Sequence, residues 1–222
     1  MSEVVQPTQT LEQTLNKTDL GHTIFEYRKT LLVVLVLILG STIGFVVWKQ
    51  LKQSAEQQAA IQVFDFQSKV WNEAKISKLS TDDLMKSYRG LSQDVKKATL
   101  MLPLSLEMSK FLYDQNKLVE ADEVLNSFQV GSGSAVTGTF IAFQRSVILE
   151  GLGKTDEAIS LLETVAQNKD SILKPKLYLE IGRLALAKGD KTKAKINFDY
   201  VISNYPNDEY AKLAKLYLAE VK

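Results

Sequence analysis

From Leu31 to Trp48 the chain carries no charge and is built almost wholly of Leu, Val and Ile, interrupted near its middle by Gly40, Ser41, Thr42 and Gly44. These 18 residues rise about 27 Å as a helix, close to the roughly 30 Å of a bilayer hydrocarbon core. The pattern predicts a single transmembrane helix over 24–48 with its core at 31–48. Tyr27 and Trp48 stand at its ends, where amphipathic rings favour the membrane interface. From Lys49 to Ile76 there is no Gly or Pro, and Ala60, Val63, Phe64, Trp71 and Ala74 fall at helical spacing. The span is therefore expected to run without a break into the first helix of a soluble domain. Residues 1–23 are polar, rich in Gln and Thr, and read as a disordered tail.

Beyond Ile76 the apolar positions keep a helical rhythm. Ser80-Thr81-Asp82-Asp83 offers N-cap chemistry. Leu84, Tyr88, Leu91, Val95, Ala98 and Leu102 step by three and four residues, which predicts one amphipathic helix with one buried stripe. Residues 49–101 are thus expected to form a helical stalk and a first helical pair.

The remainder repeats. Gly153 and Gly189 each stand five residues before an alanine, Ala158 and Ala194, and Asn116 stands at the same distance before Ala121. Gly and Asn are the residues that best tolerate a left-handed cap. The alanines lie 37 and 36 residues apart. Leu125, Leu162 and Phe198 follow them by four residues, and Phe128, Val165 and Val201 by seven. Pro103 and Pro175 sit where helices open, and Pro206 closes the last unit. This resembles the tetratricopeptide repeat, a 34-residue helix–turn–helix unit. Residues 175–208 match best, with Gly182 at the small position of the first helix; units at 102–135 and 139–172 carry Ser109 and Ser146 there. Tyr210 to Val221 is expected to cap the array. The expected fold is all-α: an N-terminal transmembrane helix followed by a tetratricopeptide-repeat-like α-solenoid.

Composition narrows the function. The 27 basic and 26 acidic residues nearly cancel, so no bulk field draws the chain to nucleic acid. Without cysteine there is no thiol nucleophile, disulfide or thiolate metal site. His22 is the only histidine and precedes the span, with no triad or metal partner near it in sequence. Gly151-Leu-Gly153-Lys154-Thr155 looks like the end of a phosphate loop, but Ile148 occupies the position where the motif needs its first glycine. A repeat turn is the better reading. Gly131-Ser-Gly-Ser134 reads as an inter-repeat loop, and Asp82-Asp83 and Asp156-Glu157 as helix starts. No catalytic residue, metal site, cofactor or small-molecule substrate is expected.

The expected working surface is the concave face formed by the first helices of the repeats. The repeat register places Leu106, Lys110, Phe140, Phe143, Val147, Leu179 and Arg183 on it. Such a lining suits apolar peptide segments better than a terminal carboxylate. Gly40 and Gly44 form a small-xxx-small pair that suits helix packing in the membrane. Arg28 and Lys29 at one end of the span nearly balance Lys49 and Lys52 at the other, so charge alone gives only a slight preference for a short tail inside and the domain outside.

Phe25-Glu26-Tyr27, the span ending at Trp48, and the repeat ending Asn204-Tyr205-Pro206 together resemble the YfgM-like ancillary subunits of the bacterial Sec translocon. The resemblance implies an inner-membrane protein with a cytoplasmic N-terminus and a periplasmic domain. It further implies association with the translocon and with a membrane-anchored periplasmic chaperone. The alternative from residues alone is a structural adaptor of another envelope assembly, in cell division or cytochrome biogenesis.

Overall fold

The computed structural model describes residues 27–128 and 134–221. The expected N-terminal tail, His22, Phe25-Glu26 and the start of the glycine-rich loop lie outside the described residues. The chain divides into two units, 1–57 and 58–222.

In the first unit the described backbone belongs to helix α1, Arg28–Phe66. From Leu31 to Trp48 every side chain is exposed. A helix apolar on all sides needs an apolar surrounding, and this one is long and apolar enough to cross a membrane. The two hydroxyls between Leu31 and Trp48 are satisfied internally: Ser41 Oγ donates to the Ile38 carbonyl and Thr42 Oγ1 to that of Leu39, each at 2.8 Å. Polar groups in an apolar medium need such partners.

The second unit is all-helical among the described residues. The end of α1 buries Ala59, Val63 and Phe66. One π-helical turn, Gln67–Trp71, comes next, and then a short α2, Asn72–Lys75. The π turn explains how Phe66 and Trp71, five residues apart, share one buried face, because its hydrogen bonds reach five residues rather than four. Phe64, expected among the apolar helical positions, points outward and is exposed, as is Ile61.

The later helices pair as hairpins. The end of α1 with α2 pairs with α3, Thr81–Gly90. After a single turn α4, Gln93–Lys96, come α5, Met101–Asp114, with α6, Leu118–Asn126. Next are α7, Ala135–Gly151, with α8, Thr155–Gln167, and α9, Lys174–Lys188, with α10, Lys191–Asn204. Helix α11, Glu209–Glu220, packs on the last pair.

Each first helix ends in the same way. Asn116, Gly153 and Gly189 have φ of 61°, 75° and 88°. Their amides donate to carbonyls three residues back, on Tyr113, Glu150 and Leu186, each at 2.9 Å. The next amides reach five residues back: Lys117 to Leu112, Lys154 to Leu149 and Asp190 to Ala185, at 2.8–2.9 Å. This is the Schellman pairing, which satisfies the last carbonyls of a helix while reversing the chain. Gly153 is thus a turn residue, as its repeat position requires, and not part of a phosphate loop. Ser77, with φ of 58°, closes a fourth helix identically. Its amide donates to Ala74 at 3.1 Å, and the Lys78 amide to Glu73 at 3.0 Å.

The returning helix then meets the first closely. Ala121, Ala158 and Ala194 are fully buried, as are Leu125, Leu162 and Phe198 one turn later. Each alanine is the fourth residue of its helix; in α3 that place is held by Leu84, with Tyr88 and Leu91 following at the same steps. The α1–α2 end and α3 therefore form an earlier hairpin of the same plan, one that the glycine–alanine spacing does not reveal.

The stripe from Leu84 to Leu102 is not one helix. Helix α3 stops at Gly90, Leu91 and Ser92 take extended backbone, and the Ser92 hydroxyl caps α4 through the Val95 amide. Glycine disfavours continuation, and Lys96 Nζ donates to the stranded Arg89 carbonyl at 3.0 Å. Burial keeps the periodic pattern across the break, since Leu84, Tyr88 and Val95 are all buried.

Packing in the last repeat gives a direct test. A Cβ on Gly182 would lie 2.5 Å from the Phe198 ring, which is itself stacked on Tyr217 at 5.5 Å. Gly182→Ala should destabilise by about 1–3 kcal/mol and lower the thermal midpoint by several degrees. Gly90→Ala, where nothing lies within 4 Å, should leave it unchanged or raise it. Equal midpoints for the two variants would contradict the packing.

Candidate partner-binding surface

Helices α5, α7 and α9 are successive first helices, and side chains link them at intervals of one repeat. Gln144 Nε2 donates to the Leu106 carbonyl at 2.8 Å and also bonds the Ser109 hydroxyl. Arg183 grips Glu150 with two nitrogens at 2.9 and 2.8 Å and Glu180 at 2.7 Å. The Arg145 guanidinium holds Asp122 at 2.8 Å in a largely buried pair. On the earlier hairpin, Arg89 clamps Glu123, and Trp71 Nε1 donates to Glu107 at 3.2 Å. These bonds hold repeats in register.

On this frame the expected lining residues divide. Phe140 is 50% exposed and Val147 43%, both on α7. Leu106 is half-buried, and Lys110 is exposed but paired with Asp114 at 2.7 Å. Phe143 is half-buried against the second core, with Lys176 Nζ 4.7 Å from its ring centroid. Leu179, expected to line the groove, is instead buried at 4% exposure, because its face of α9 packs into the second core. Arg183 stands at the surface but spends its guanidinium on two carboxylates. The lining that is open is concentrated on α5 and α7. In the first unit, a Cβ on Gly40 or Gly44 would meet nothing within 4 Å, so that face is bare in the single chain.

Between α5 and α7 lies a cavity of about 150 Å³ walled by Lys110, Tyr113, Gln144, Val147 and Ile148. Repeat register does not single out Tyr113, although it lies three residues after Lys110 and so shares its helix face. A wider opening of about 490 Å³ runs over Arg145, Leu149, Asp156, Glu157, Ser160, Leu161 and Thr164. Its Arg145 and Asp156 are already paired, with Asp122 and Lys188. Among the described residues no group of acidic, His or Cys side chains is placed to hold a metal.

The charged links also set proton affinities. Hydrogen bonds from Arg183 hold the Glu150 carboxyl below its ordinary value, against a smaller opposing effect of burial. Arg89 does the same for Glu123. Burial pushes the Tyr88 phenol up; its hydroxyl donates to the Val124 carbonyl at 3.2 Å and lies 2.9 Å from Ser127 Oγ.

Stacked helical hairpins that leave an apolar face exposed are the architecture of repeat-type α-solenoids. A family model described as a tetratricopeptide repeat-like domain matches residues 25–171, and a tetratricopeptide repeat model matches residues 177–208. The chain belongs to the tetratricopeptide repeat-like domain family. The first match begins well before Asn116, consistent with the additional hairpin closed at Ser77. No curated protein and no solved structure matches the chain.

Because the Glu150 pKa is depressed in the folded state, its contribution is present above the unfolded value near 4.3 and is lost as pH falls through the lower folded value. Both partners are partly exposed, which limits the effect to under about 1 kcal/mol. Glu150→Gln should therefore lower stability slightly at pH 7 and flatten the loss of stability as pH falls below about 5. Urea denaturation across that range measures it, and an unaltered slope would contradict the pairing.

Proposed function

We propose that this protein is a non-enzymatic, membrane-anchored adaptor of the bacterial inner membrane, acting as an ancillary subunit of the Sec translocon. Its repeats bind a membrane-anchored periplasmic chaperone or exported chains as they emerge. The observation that carries the reading is the exposure of Phe140 and Val147 on α7, a helix whose other face is buried on both cores. Large apolar side chains lined up beside a cavity mark a surface that a partner covers. The repeat family supports protein binding as the mode of action. The translocon assignment rests on the sequence resemblance.

In this reading residues 24–48 form the anchor and 49–101 the stalk with the first helical pair. Residues 102–222 supply repeats at 102–135, 139–172 and 175–208 with a cap helix. The N-terminus is cytoplasmic and the repeat domain periplasmic. Gly40 and Gly44 give another transmembrane helix a close approach. Leu106, Lys110, Phe140, Phe143 and Val147 form the partner groove, with Arg183 bracing its floor through Glu150.

A photocrosslinking residue in place of Phe140, in intact cells, should capture the translocon channel, the chaperone or exported chains, whereas one at exposed Ile196 on α10 should not. Capture of division or cytochrome-assembly proteins alone would retain the adaptor and overturn the translocon. Equal capture from both positions would overturn the groove.

The orientation has its own test. A phosphatase fused after Lys222 should be active only if exported, and a cytoplasm-dependent reporter in the same place should be silent. The opposite pair of results would overturn the topology.

A further inference from the structure

The cavity between α5 and α7 is specific enough to say what enters it. Its volume of about 150 Å³ equals that of apolar protein cavities that accept a benzene ring. One large apolar side chain fills it; an alanine leaves most of it empty. Two of the polar groups at its walls are already occupied. Lys110 is paired with Asp114, and the Gln144 amide is spent on Leu106 and Ser109. An apolar side chain entering here therefore leaves those bonds intact.

A second feature adjoins it. Lys176 Nζ from α9 stands over the Phe143 ring, and among the described residues it has no carboxylate partner. The neighbouring cations Lys110 and Arg183 both have one. A lysine held against a ring is partly dehydrated, which strengthens its attraction for an added anion. Phe143 and Val147 are one helical turn apart, about 6 Å along α7, which is about two residues of extended chain.

Resting on the groove reading above, we propose that the groove recognises an extended partner segment with one large apolar side chain in the Tyr113–Val147 cavity and a carboxylate two residues away on Lys176. The apolar residue supplies the anchor and the acidic residue sets the register. Segments with a basic residue at that spacing are rejected, because two cations would then meet over Phe143.

The test uses the full chain in mild detergent and a fluorescein-labelled peptide of sequence Gly-Ser-Glu-Gly-Phe-Gly-Glu-Gly-Ser, acidic on both sides so that either direction of binding is served. Comparison peptides replace Phe by Ala, or both Glu by Lys. Anisotropy should show the Phe/Glu peptide binding at least tenfold more tightly than either comparison. Val147→Trp, which fills the cavity, should abolish the preference for Phe. Lys176→Glu, on the surface and independent of the cavity, should reverse the preference from Glu to Lys. Thermal midpoints of both variants confirm folding. Equal affinity for all peptides, no binding of any, or preferences unchanged in both variants would overturn the proposal. If Phe140 crosslinks to partners in cells under those results, the adaptor reading stands and only the anchor-and-carboxylate code falls; loss of both removes the groove itself.

Discussion

The structure depends on one backbone constraint, the left-handed residue that ends each first helix. At Ser77, Asn116, Gly153 and Gly189 the chain satisfies the helix's final carbonyls with its own next amides and in doing so turns back on itself. The return helix then has no freedom to begin elsewhere. Its fourth residue faces the first helix, where Ala121, Ala158 and Ala194 allow close approach. In the last repeat Gly182 yields its whole side-chain space to Phe198.

The exposed apolar face of α7 is a by-product of this arrangement. With the apolar stripe of each first helix committed to its hairpin and its neighbours, the remaining face carries whatever the sequence leaves there. Two buried clusters form, one from Ala59 to Leu125 with Ile148, the other from Ala142 to Ala214, and both draw on α7. That helix has core on either side and still exposes Phe140 and Val147. Polar links such as Arg183–Glu150 and Gln144–Ser109 fix the spacing of the first helices.

The turns at Asn116, Gly153 and Gly189 were legible because a positive φ restricts residue choice sharply, and the buried alanines because close approach restricts size. The hairpin closed by Ser77 was not, since serine carries no left-handed signature and Leu84 replaces the alanine. The break at Leu91–Ser92 was hidden by periodicity: side chains on both sides of a kink can face one core, and burial spacing does not report hydrogen bonding. The exposed face of α7 was readable in part. Repeat register placed Phe140 and Val147 on an open face, but it could not distinguish Leu179, which a neighbouring helix covers, from a residue in the same register position that none covers. Tyr113 stayed hidden because register compares equivalent positions between repeats and passes over the helix face between them.

The side-chain links between neighbouring repeats join residues only 23 to 39 positions apart. Nothing in the described packing asks the last repeat to be present before the first can form. A chain whose partners all lie one module behind it has low contact order and can assemble by addition. Each new hairpin can dock on a finished one, so the order of folding can track the order in which the chain emerges, from its N-terminal end onward.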